Sequence, residues 1–227
     1  MAWHYLETNQ YGSQTGWGTD DVDSYIITQN QIDNASEMWN YFRYRGYSEQ
    51  ATAAIIGNAM HESLLNPAQY EYYTSMTDFS VYGLGLLMWT PKSKIRNYAN
   101  SVGGNMYDGN LQCNFYIQNE LEGWNMYRGL TQYPRYPYVV TPAEFKVSTA
   151  DVTYLAEVFG CNYEGGNYDT KRGRNSVYWY EYFTGTPPEP PEPPVSGGGA
   201  WFGVFHMINK RNRKDPLVYR RKRGDFK

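Results

Sequence analysis

Glu62 is the residue of this chain best placed for acid–base chemistry. It stands near the end of a run, Ser48 to Ser63, whose apolar positions recur at helical spacing. At about 100° per residue its side chain falls between Ala51 and Ile55, extending the apolar stripe instead of the solvent face. Desolvation there disfavours a charged carboxylate, and the negative end of the helix macrodipole adds to the effect. Both favour a carboxylic acid that keeps its proton near neutral pH, the state a general acid needs. The plainer alternative is a half-exposed glutamate at a helix end. His61 points about 100° away around the same helix, so it reads as a cleft-wall residue rather than a base.

Other chemistries find little support. The histidines His4, His61 and His206 are far apart in no ligand-spaced motif, so no metal is expected. Gly103-Gly104 and Gly165-Gly166 lack the context of a phosphate cradle, so no nucleotide is expected either. Two cysteines cannot build a disulfide framework. Cys113 shares a helix face with Ile117, Leu121 and Trp124 and reads as a buried apolar group. No cofactor is expected.

The elements that must position Glu62 are mostly helical. One helix is predicted over about Gln31–Tyr44, with Ile32, Ala35, Trp39 and Phe42 on one stripe and Gly46 as its stop. A second runs from the Ser48 cap to about Ser63, and Asn66-Pro67 then turns the chain. Phe79 to Trp89, broken by Gly83-Leu84-Gly85, reads as a small hairpin. Thr90-Pro91 opens a helix to about Asn100. Further helices are expected over about Leu111–Trp124, Asp151–Asn162 and Gly173–Phe183. Residues 1–29 have no clean periodicity and read as an irregular arm. The fold class is therefore mainly α, a helical domain over residues 30–186 with one small hairpin.

Composition agrees with a packed domain. Of 227 residues only 19% are charged while 18% are aromatic, the opposite of a disordered chain. No apolar stretch approaches the roughly 20 residues of a membrane span. The start, Met1 to Glu7, shows no basic segment followed by an apolar run, so synthesis in the cytoplasm without a signal peptide is expected. Charge is divided. Up to Thr186 there are 11 basic and 19 acidic residues, and from Pro187 onward 9 basic and 4 acidic. The boundary is a proline-rich and then glycine-rich tether over residues 187–199, a stiff spacer of roughly 25 Å followed by a flexible joint. Beyond it, residues 200–227 join an apolar half, Trp201 to Ile208, to the basic clusters Lys210–Lys214 and Arg220–Arg223. Exposed apolar groups on a tether call for a partner, so the segment reads as a docking element. Its basic half alone would suit a polyanion, and contact with nucleic acid is the less favoured option.

Two linked motifs carry a family resemblance. Asn58-Ala-Met-His-Glu62-Ser63-Leu-Leu-Asn66-Pro67, followed by Gly83-Leu-Gly85-Leu-Leu-Met88-Trp89-Thr90-Pro91, resembles the phage tail lysozyme family, in particular the lysozyme part of tail-knob hydrolases of short-tailed phages. The resemblance spans about Gln31 to Gly185 and includes Arg172-Gly173 and Tyr178-Trp179-Tyr180. It implies a lysozyme-like fold, a hairpin at the active-site cleft, and hydrolysis of the β-1,4 glycan bond of peptidoglycan, with Glu62 matching the catalytic acid. It further implies a place in the virion tail, with other tail proteins as partners of residues 200–227. The family often adds a metallopeptidase domain; the 28 residues after the glycine joint carry no such motif. Met88 stands where the family usually has glutamine, replacing an amide by a thioether that is a weak acceptor and no donor.

Glycoside hydrolysis usually needs a second carboxylate. Asp78, just before the expected hairpin, is the leading candidate, and Glu71 in the loop Gln69–Tyr73 is the second. Sugar contacts would come from Tyr70, Tyr72, Tyr73, Tyr82, Met88 and Trp89, with His61 and Glu71 nearby; Trp89 reads equally as core. Two other readings stay open. A lytic transglycosylase needs one acid/base only, and an inactive structural or wall-binding module would carry Met88 as the trace of its decay.

Overall fold

The computed structural model describes residues 3–9, 17–24, 27–71, 78–126, 138–165 and 169–185. The tether and the docking segment expected over 187–227 lie outside the described residues, as do Tyr72 and Tyr73.

Seven helices build the domain among these residues, and each of the first two begins at a cap legible in the sequence. Helix α1, Gln29–Tyr44, starts with a capping box in which Thr28 accepts from Gln31 N and the Gln31 side chain reaches back. Its stripe Ala35, Met38 and Phe42 is buried. Helix α2, Glu49–Ser63, is capped by Ser48 and ends where Leu64 and Leu65 take left-handed backbone angles. Every residue from Ala51 to Met60 is buried, so α2 is apolar all round and forms the centre of the molecule. Helices α6, Val152–Asn162, and α7, Thr170–Thr184, pack most heavily against it.

The crossing of α2 and α7 is close because Gly57 has no side chain. A Cβ there would come within 2.1 Å of Ser176 Oγ and 2.5 Å of Ser176 N. Gly57→Ala should gain about 1 kcal/mol of helix propensity. Overpacking against backbone costs more, and the net expectation is a loss of about 1–2 kcal/mol, measured as a lower urea midpoint with unchanged slope. An unchanged or higher midpoint would mean that α7 can move aside.

The remaining elements differ in places from the sequence reading. Helix α3 spans Ser93–Val102, beginning three residues after Thr90, and Thr90-Pro91 is a cis peptide. Helix α4 covers Gly109–Met126, with Cys113 and Trp124 buried but Leu121 66% exposed. Burial pushes the Cys113 thiol far above its ordinary range, in keeping with an inert apolar group. Helix α5, Pro142–Val147, was not expected, although Thr141 and Glu144 make a full capping box around an N1 proline. The expected hairpin shrinks to one bridge, Leu84 with Trp89, closing the tight turn Gly85–Met88. In that turn Gly85 has φ 91° and Met88 φ 47°.

The described residues of the amino-terminal segment are tied to the helices at two places. Strand β1, Thr8–Asn9, pairs in parallel with β2, Gln69–Tyr70. Buried Asn34 accepts from His4 N and donates to His4 O, and Asn66 does the same for Leu6. Farther along, Val22 N donates to Asn175 Oδ1, and Arg174 pairs with Asp21 and Asp23. None of the described helices is long and apolar enough to cross a membrane.

Candidate active site

Glu62 sits in the last turn of α2, beside a cleft of about 310 Å³ that it lines together with Glu71, Met88, Trp89, Glu122, Tyr163 and Glu164. The next residue explains why the turn Gly85–Met88 lies against it. Ser63 Oγ lies 3.0 Å from both Ala59 O and Leu86 O, and its one proton serves either carbonyl, joining the end of α2 to the turn. Gln112 on α4 holds the other side: its Oε1 accepts from Leu86 N at 2.8 Å, and its Nε2 donates to Pro67 O and Met106 O. A Cβ on Gly85 would collide with the Gln112 amide, so glycine serves here both for its left-handed angle and for the close approach.

The Glu62 side chain is 19% exposed and forms an ion pair with Arg172 of α7. Arg172 is 7% exposed; its Nη1 donates to Asn58 Oδ1 at 2.8 Å. Asn58 is fixed in turn by donating to Ala54 O and Ala156 O. Gly160 of α6 leaves the room for this stack, since a Cβ there would lie 3.2 Å from Asn58 Oδ1 and 3.3 Å from Arg172 Cδ. An Asn–Arg–Glu chain thus runs from α2 to α7 and back, tied to α6 through Ala156 O, and ends on a carboxyl that lines the cleft.

A further carboxyl, that of Glu164, lines the same cleft as Glu62. Glu164 is half-buried as a residue, yet its Oε1 is sealed from solvent and has no hydrogen-bond partner among the described residues. Burial, and then the charge of Glu62, hold this carboxyl well above the usual carboxylate range.

The two candidates for a second carboxylate are separated clearly. Glu71 follows β2 and lines the cleft, with Oε2 accepting from Gly83 N at 2.8 Å. Asp78 is exposed and outside the cleft lining, its Oδ1 accepting from Ser80 Oγ at 2.6 Å and Ser80 N at 2.9 Å. Those bonds draw the Asp78 carboxyl below its ordinary range. Of the two, Glu71 is the one that lines the cleft with Glu62: the chain leaves β2 with Glu71 tied to Gly83, whereas Asp78 closes a local turn of its own.

The other expected site residues are spread between cleft and core. Met88 lines the cleft and is half-buried. Trp89 borders it but is only 6% exposed, packed edge-to-face on Phe115 at 5.3 Å, with Nε1 donating to Tyr163 Oη. Tyr70 belongs to the core: it is 2% exposed, bonded to Tyr107 Oη, and lies under Lys92 Nζ. Tyr82 is half-buried outside the lining, its carbonyl accepting from Lys92 N. His61 faces away from the cleft, 3.9 Å from Asp20 and 4.0 Å from Asp169. Burial, and next the Arg172 charge, hold its imidazole below the usual range. No group of three or more metal-binding side chains is assembled among the described residues.

Sequence reasoning quoted Asn58 and Arg172 only as parts of motifs and passed over Gln112 and Glu164. Their roles depend on contacts between distant positions, 110 apart for Glu62 and Arg172, which no local pattern announces.

Comparison with known proteins adds identity to this geometry. Phage tail lysozyme matches residues 33–183, a span holding Glu62, Glu71, Glu164 and Arg172. Morphogenesis protein 1 of Bacillus phage B103 is 27% identical over 167 residues, covering 72% of this chain. The chain spans 42% of the length of that relative. With its seven described helices and lysozyme-like, mainly α architecture, the chain belongs to the phage tail lysozyme family.

Proposed function

We propose that this chain is a virion-associated peptidoglycan hydrolase that cuts the β-1,4 glycan bond of the bacterial wall during phage DNA entry, with Glu62 as general acid and Glu71 as the second carboxylate. The observation that carries this reading is the meeting of Glu62 and Glu71 on one cleft inside the span matched by phage tail lysozyme. In the reaction Glu62 gives its proton to the glycosidic oxygen as the bond between that oxygen and the anomeric carbon breaks. Water adds its hydroxide to that carbon and its remaining proton passes to Glu71, leaving one new hydroxyl and one new reducing end. Met88 and the edge of Trp89 give the cleft an apolar wall against which a sugar face can lie.

One observation favours a second reading. Glu71 already accepts from Gly83 N, so it has a structural task and Glu62 could act alone, as in a lytic transglycosylase where the sugar's own hydroxyl displaces the bond. Mass spectrometry of peptidoglycan digested by the full chain separates the possibilities. Reducing ends are expected; anhydro ends would establish the transglycosylase, and intact glycan would leave a wall-binding module.

The segment 200–227 supplies the attachment to other tail proteins in this reading. Deleting it should yield particles that lack the enzyme, while the shortened chain still cuts isolated walls. Normal incorporation into particles, measured by immunoblot, would remove the docking role.

A further inference from the structure

The cleft contains one more carboxyl than the proposed chemistry uses, and that carboxyl is sealed. Glu164 follows α6 and lines the cleft with Glu62, yet its Oε1 meets neither solvent nor a hydrogen-bond donor among the described residues. Arg172 is bonded to Glu62 and Asn58, and its charge acts on Glu164 through space. One buried guanidinium balances one buried carboxylate; a second negative charge in the same desolvated place would be uncompensated. The geometry therefore disfavours a second negative charge on Glu164.

We propose that Glu62 and Glu164 form a single acid unit that holds one proton beside Arg172, with Glu164 as a positioning residue that keeps that proton available to Glu62. This rests on the reading of Glu62 as the general acid. That acid must carry a proton before it can give one, and an ion pair with arginine does not supply it. Glu164 does so by denying the pair a second negative charge. Carboxyls that share a proton titrate as a unit in two macroscopic steps, and the upper step sets the pH at which the acid is lost. The other ionisable groups around them are Glu71 beyond β2, Lys94 on α3, Glu122 on α4 and Tyr163, which line the cleft, and His61 behind Glu62 with Asp20 and Asp169.

The test is the pH profile of kcat/KM for wall cleavage by the full chain. In the wild type the alkaline limb reports loss of the shared proton. In Glu164→Gln no second carboxylate opposes the ionisation of Glu62, so the limb should move to lower pH by about one unit, a roughly tenfold loss of rate at a fixed pH on that limb. Glu164→Asp, which restores a carboxyl, should recover much of the shift. A Glu164→Gln profile superimposing on the wild type would overturn the proposal while leaving Glu62 as the acid. Full activity of Glu62→Gln would instead overturn both readings. A second measurement applies if Glu164→Gln does not fold. ¹³C carboxyl titration of the wild type should show one glutamate protonated well above the usual range, and Glu62→Gln should bring that step down. An ordinary titration of Glu164 would sink the pair.

Discussion

Glu62→Gln should leave the fold intact and lower glycan cleavage by about 10²–10⁴-fold, the usual contribution of a positioned general acid. The amide matches the carboxylate in shape, and its oxygen can still accept from Arg172 Nη2, so the Asn58–Arg172 chain loses a charge without losing a contact. What it cannot do is donate a proton to a departing sugar oxygen. The measurement pairs clearing of a wall suspension with thermal unfolding. A variant that unfolds like the wild type and keeps more than about a tenth of its rate would remove Glu62 from the chemistry. A variant that loses both fold and rate would say nothing of catalysis, which is why the isosteric substitution is preferred to alanine.

The second large effect distinguishes two carboxylates by their surroundings. Glu71→Gln should reduce hydrolysis by about 10²-fold or more, whereas Asp78→Asn should stay near the wild-type rate. In Glu71→Gln the amide oxygen still accepts from Gly83 N, so the turn beside the cleft is retained and the loss reports proton transfer. Among the described residues Asp78 bonds within its own exposed turn, to Ser80, and removing its charge should change little around the cleft. Steady-state rates on soluble glycan fragments check both at once. The reverse result would return the role to Asp78. Two unaffected variants would leave Glu62 as the sole acid, with anhydro sugar ends as the product.

How much of this could be read from the chain depends on how local each feature is. The Ser48 cap, the stripe of α1 and the apolar run of α2 are written within one or two turns, and they place Glu62 at a helix end facing inward. Even the unforeseen α5 had its signature in Thr141-Pro-Ala-Glu144, a capping box that a six-residue helix without a long stripe makes easy to overlook. The hairpin is shorter than its sequence span for a different reason. Gly83-Leu84-Gly85 marks a place where backbone approaches other groups, Met88 O for one glycine and Gln112 for the other, and not a ladder of paired strands. The cleft itself was the least legible part. Glu71 lines the cleft and bonds to Gly83, and Glu164 reaches the same cleft from far along the chain, neither of which a local pattern announces.

The ties of the arm also fix an order of events in time. The bond from His4 to Asn34 spans 30 positions, and that from Val22 to Asn175 spans 153. Closing the longer loop costs about 1.4 kcal/mol more in chain entropy. The early half of the arm can therefore settle on α1 while the start of α7 is still searching for its place. The late tie holds Asn175 in the second turn of α7, three residues after Arg172. On loop entropy alone, a refolding chain is expected to fasten the early half of the arm before the late half.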